Sequence, residues 1–403
     1  MSEATTLTVT RTVVTSFNPK TTAASEGTQD YFEEGDWVLS VTGGQKWVAC
    51  ALSNGEVQVY DQERMHRLQT YRHPQGSLVT DLVTDGSSAN PNTLVSTATD
   101  GTINIFDIRQ SQCACQLRCP RPEEQALSVG IGFDGNLAAV GTNKAKVHFY
   151  DVRAGKGLLG TYSQAHTQEV TQVRFQTKAS FGNATTTPVL MTGGEDGLIC
   201  IFDTSQPSEE TALQNVLSVQ SSIRKVGFFG PQAESIYCLT GDESVKLYSM
   251  RESACRLDFG LQLRDYLTRL YASPSISMEY LVDCSWSQQR QELLLFAGNR
   301  SGETGIFNIR ENDIALSHRL SGGHRGVVRA ISSLSNDRLL TAGEDARLCE
   351  WNRLGRLSSS ATVSQAVQVP VPSALTTAGS SPLVRTGRKM KHRQRGRVPT
   401  SPY

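Results

Sequence analysis

The chain has 403 residues, 38% of them hydrophobic and 19% charged, with 39 Lys or Arg against 39 Asp or Glu. Such values belong to a soluble globular protein with room for a substantial core. They exclude a membrane-spanning helix, because the longest apolar runs, such as "LLLFAG" at 293–298, are far shorter than the ~20 residues a bilayer needs.

The first predicted element is a strand over 6–17, "TLTVTRTVVTSF", rich in Thr and Val with alternation. The start has neither the basic head nor the apolar stretch of a signal peptide, so the expected location is cytoplasm and nucleus, nucleolus included. Residues 18–36 read as a connection. Strand-like runs then end in seven aromatics: Tyr60, Phe106, Tyr150, Phe202, Tyr248, Phe307 and Trp351, at intervals of 46, 44, 52, 46, 59 and 44. "EVQVY", "TINIF", "KVHFY", "LICIF", "SVKLY" and "RLCEW" alternate or are apolar, as strands do. Asp or Asn follows every aromatic except Tyr248. Six residues ahead of the aromatic stands a turn: Asn54-Gly55, Asp100-Gly101 and Asp196-Gly197 have tight-hairpin chemistry, and Asp242 and Asp345 keep the acid. Lys144 and Ser301 depart, which predicts looser turns there. The interval before Phe307 holds the insert "RDYLTRLYASPSISMEYL", read as a partner surface or a loop.

This period and these endings resemble the WD-repeat proteins over about residues 5–353. The segments "HTQEVTQVRF", "TATDGTINIFDIR", "MEYLVDCSW" and "GGHRGVVRAISSLSNDRLLTAGEDARLCEW" are similar to the WD-repeat-containing protein 89 family. The resemblance implies an all-β, seven-bladed propeller over 1–355. Closure of the ring is expected from the N-terminal strand, as the outer strand of blade seven, because "NRLGRLSSSATVSQ" after Trp351 offers none. It also implies that a His ahead of each blade bonds the turn Asp and a Ser or Thr that reaches the Trp. Blade seven has the full set, His324, Thr341, Asp345 and Trp351. Blade four has His166, Thr192 and Asp196, but Phe202 has no donor; blade two has Ser96 and Asp100, with His73 an irregular partner. A His-Asp-Thr set resembles a hydrolase triad, but three copies in one chain read as structure, so no catalytic residue is assigned.

No phosphate-binding loop, nucleophile elbow, dinucleotide fingerprint or metal-spaced His pair occurs, and neither cofactor nor metal is expected. Nine cysteines without framework spacing read as thiols; Cys113, Cys115 and Cys119 cluster but want a fourth zinc ligand. The expected function is a non-catalytic scaffold or adaptor for other proteins. "FDIR" and "YDVR", in consecutive blades, put Arg109 and Arg153 in an aromatic-Asp-x-Arg box resembling that of substrate receptors of cullin–RING ubiquitin ligases, an alternative role, and "FNIR", ending at Arg310, is a degenerate copy. Residues 356–384 read as a Ser/Thr/Ala/Val/Pro-rich linker and 385–403 as a basic, disordered tail. Arg385, Arg388, Lys389, Lys391, Arg393, Arg395 and Arg397 carry no acidic neighbour there, while the other 32 basic residues face 39 acidic ones. Such a tail suits an importin, or RNA in a ribosome-assembly factor, or solubility alone.

Overall fold

The computed structural model describes residues 4–16, 35–84, 90–153, 156–180, 183–310, 313–334 and 338–352. The linker and tail, with their seven cations, lie outside the described residues.

All seven aromatic-ending runs are third strands of four-stranded antiparallel blades. The first strands are Val38–Gly43, Val79–Thr84, Ala126–Gly132, Val170–Ser180, Ile223–Phe229, Tyr280–Ser287 and Val328–Leu334. Each touches the first strands of its two neighbours, and that of blade seven touches that of blade one, so the ring is closed. Five blades are separate sheets; blades six and seven are fused into one eight-stranded sheet by the N-terminal strand Thr5–Val14. That strand does more than the sequence suggests. Thr5–Thr8 run parallel to His318–Ser321 on the outer edge of blade six, and Val9–Val14 then pair antiparallel with Arg347–Trp351 of blade seven.

The repeat pattern has physical causes. Asp61, Asp107, Asp151 and Asp203, just after the aromatics, accept backbone N–H groups of their own turns at 2.7–3.1 Å. At every aromatic the pairing with the outer strand slips by one residue, a bulge that adds the twist of a blade. All seven turns ahead of the third strands hold a positive φ at the same place: Gly55, Gly101, Ala145, Gly197, Glu243, Gly302 and Ala346. The expectation of loose turns in blades three and six is therefore wrong. Gly302 supplies the φ in blade six, where Asn299 Oδ1 accepts the N–H groups of Ser301 and Glu303 at 3.1 and 3.0 Å. Ala145 takes φ 57° in blade three, where Thr142 N–H reaches Lys146 O at 3.0 Å. A side chain in that region costs energy, so Ala145→Gly is expected to raise stability by about 0.5 kcal/mol in denaturant unfolding. A loss instead would mean that the turn is not strained.

The insert before blade six contains the helix Leu263–Tyr271, which buries Leu263, Leu267 and Tyr271 against Leu247, Leu293 and Phe307 of blades five and six. The other described helix, Glu209–Ala212, is a single turn. Among the described residues no helix is long and apolar enough to cross a membrane. Ser16 Oγ accepts the N–H of Asp36 at 2.6 Å, so the connection leaves and returns at one spot.

Candidate functional site

The residues most like an active site sit inside the blades. In blade seven His324 Nδ1 lies 3.1 Å from Asp345 Oδ1, and His324 Nε2 lies 2.7 Å from Thr341 Oγ1. Trp351 Nε1–H donates to the same Thr341 oxygen at 2.8 Å. Blade four repeats this with His166 3.2 Å from Asp196 and 2.7 Å from Thr192; Phe202 contributes packing only. In blade two His73 reaches Ser96 at 2.7 Å but meets Asp100 through Thr102, whose hydroxyl is 3.3 Å from His73 Nδ1 and 2.6 Å from Asp100.

Burial decides what these sets can do. Thr341 and Thr192 have no exposed surface, and His324 and His166 are each only 5% exposed. Burial pulls the His324 imidazole down, but the Asp345 carboxylate and Cys349 outweigh it and hold the pKa at about 9. Asp345 is correspondingly held below its ordinary range, with burial opposed by His324 and by the N–H of Arg325. A nucleophile needs a free lone pair and an approach path. Thr341 Oγ has neither, since it is shared between His324 and the indole and sealed from solvent.

The other blades fill the same slot differently, and sequence reasoning missed this. The residue two before the aromatic is Cys200 or Cys349 in blades four and seven, Asn104 beside His73 in blade two, Gly305 in blade six, and Gln58, His148 or Lys246 in the blades that receive no such His. His148 Nε2 meets the buried Glu124 at 2.9 Å, which also accepts from Thr142 at 2.9 Å. Lys246 Nζ reaches Val219 O at 2.9 Å and Asp258 at 3.1 Å. Tyr60 donates its hydroxyl to Gln58 at 2.5 Å.

Arg109 and Arg153 lie at the opposite end of their blades, exposed, with each guanidinium folded onto its own aspartate. Arg109 Nε is 2.8 Å from Asp107, and Arg153 makes contacts of 3.2 and 3.1 Å with Asp151. Arg310 is exposed at the end of its strand, and Asn308 stands where the aspartate would be. Cys113 is exposed, Cys115 half-buried and Cys119 buried. No group of three or more His, Cys, Asp or Glu among the described residues is placed to hold a metal.

The surface opening of interest is at the turn end of blades four to seven. It is a cleft of about 270 Å³ with Ile223, Leu239, Leu281 and Val328 as apolar lining and Glu195, Arg224, Lys225, Glu243 and Arg329 as charged groups.

Comparison with known proteins agrees with this geometry. The family described as "WD domain, G-beta repeat" matches residues 65–107 and 157–203. Each match begins in or just before an outer strand and ends with the third strand of the next blade, so repeat and blade are offset by one strand. The chain is a WD-repeat propeller. It is similar to the WD repeat-containing protein 89 homolog of Dictyostelium discoideum, 25% identical over 78% of this chain and 82% of that one. It is also similar to the WD repeat-containing protein GTS1 of Arabidopsis thaliana, 26% identical over 78% of this chain and 81% of the relative. A chain in the crystal structure of the mitotic checkpoint complex superposes with a TM-score of 0.63 at 15% identity, covering 88% of this chain and 94% of that one, which shows the fold alone. WD-repeat propellers are generally interaction scaffolds and typically non-catalytic.

Proposed function

We propose that this WD-repeat propeller is a non-catalytic platform that binds other proteins, acting in the cytoplasm and nucleus. The observation that carries the reading is the burial of the histidines in its His-acid sets, while the turn-end cleft offers an open surface with form and charge. An adaptor role on a ubiquitin ligase has less support, because Asp107 and Asp151 already occupy the forks of Arg109 and Arg153. The basic tail acts as a nuclear import signal, since seven cations without interleaved aromatics suit an importin better than base reading. Cross-linking mass spectrometry on the full chain in cells is expected to map partner proteins onto the propeller. Removing residues 385–403 should shift the protein out of the nucleus and leave its melting curve unchanged. A turnover that disappears in His324→Ala at unchanged stability would replace the platform with an enzyme; unchanged localisation would sink the import reading.

A further inference from the structure

The internal repeat shows what is missing from the cleft. In blade seven Arg329, second residue of the first strand, pairs with Glu344 on the turn ahead of the third strand, with Nε 2.8 Å from the carboxylate. Blade five makes a like pair: Arg224, at the equivalent position, bonds Glu243, which stands two places further along its turn and whose other oxygen accepts the Leu281 N–H at 2.7 Å. Blade four carries the glutamate, Glu195, but has Thr171 where the arginine belongs. Thr171 cannot neutralise it, since its hydroxyl donates to Ile223 O at 2.8 Å and ties blades four and five together below the cleft.

Glu195 is thus an exposed carboxylate with no hydrogen bond or ion pair on its side chain among the described residues. Its backbone N–H bonds Glu169 O at 2.9 Å, and Glu169 is likewise exposed, with no ion pair among the described residues. At the channel end of the same cleft Lys225 makes no ion pair among the described residues, and its charge acts at longer range on Asp81, which Arg174 holds at 3.0 Å. The cleft is therefore negative at the rim, apolar along its lining and positive inside. A single ion of either sign would satisfy only one end.

We propose that the cleft takes a peptide segment of a partner protein that lays an arginine or lysine on Glu195, supplying in trans the cation that blades five and seven carry in cis, and turns an acidic side chain inward to Lys225. This rests on the platform reading and names its partner chemistry. A guanidinium suits the position best, because its planar fork matches a carboxylate in two contacts.

The probes are capped seven-residue peptides with a central arginine, apolar neighbours and an aspartate two residues away, and the same peptides with citrulline for arginine. Titration against the full chain is expected to favour the arginine peptides by about tenfold or more, as loss of one charge-assisted contact implies. Thr171→Arg, which installs the cation in cis, and Glu195→Gln should each abolish that preference. The second variant keeps the test open if the first disturbs the bond to Ile223. Equal binding of arginine and citrulline peptides, or a preference that survives Glu195→Gln, overturns the proposal. If the peptides fail to bind the wild-type chain while cross-linked partners still map to the propeller in cells, the site reading falls and the platform reading stands.

Discussion

Deletion of residues 1–16 is expected to lower stability by about 3–6 kcal/mol, a large part of the margin of 5–15 kcal/mol by which an ordinary domain is folded. The strand Thr5–Val14 buries Leu7 in a cluster with Phe296, Ile306, Leu320 and Trp351. That side chain alone accounts for about 1.5–3 kcal/mol. Further bonds go with it, among them Gln58 Nε2 to Thr15 O at 3.2 Å and Arg319 Nη1 to Ala4 O at 3.3 Å. More is exposed than one edge. The strand pairs on both sides, so its loss uncovers the outer edge of blade six and the third strand of blade seven together. Unpaired edges of that kind recruit other chains. Scanning calorimetry with light scattering should show a lower melting temperature and aggregation. The point substitution Leu7→Asp should reproduce part of the loss without shortening the chain. Full solubility and an unchanged melting temperature after the deletion would mean that the ring does not depend on this strand.

Why was the closing strand legible in the sequence when parts of the site were not? Its Thr-Val alternation is local, and so are the seven aromatic endings and the acids that cap their turns. Local patterns are written in adjacent residues and can be read there. The turns of blades three and six were misread for a related reason: the sequence shows which residue is unusual, Lys144 or Ser301, but not that Ala145 and Gly302 take up the positive φ. The slot fillers Gln58, His148 and Lys246 were visible only after register placed them opposite Cys50, Val140 and Cys238 on the second strands. The cleft lies further still from sequence reasoning. Its pairs join residues 19 and 15 positions apart, and the missing partner of Glu195 emerges only when blades four, five and seven are overlaid.

Blade seven offers the sharpest separation of structure from catalysis, through the pH dependence of its network. His324 has a pKa of about 9 in the folded chain against an ordinary 6.5. A raised pKa means that the folded state holds the proton more tightly, so its contribution is complete below about pH 6.5 and fades as pH rises through 9. Asp345 is shifted the other way: its contribution is present above its ordinary value of 3.8 and is lost as pH falls through its lowered one. The network is therefore strongest between about pH 4 and 6.5. At pH 6, His324→Ala is expected to cost about 1–3 kcal/mol, the range for a buried polar group left short of a partner. A larger loss is not expected, because Asp345 keeps the Arg325 N–H at 2.8 Å and Thr341 keeps the Trp351 indole at 2.8 Å. The difference between wild type and variant should narrow from pH 6.5 to 9, as the wild type loses the proton the variant never had. His324→Gln, which retains a hydrogen-bonding side chain without a titrating charge, should recover part of the loss and show a flatter stability profile over that interval. Denaturant unfolding at several pH values checks all three proteins. If the cost of His324→Ala does not change with pH, the buried ion pair is not what His324 contributes.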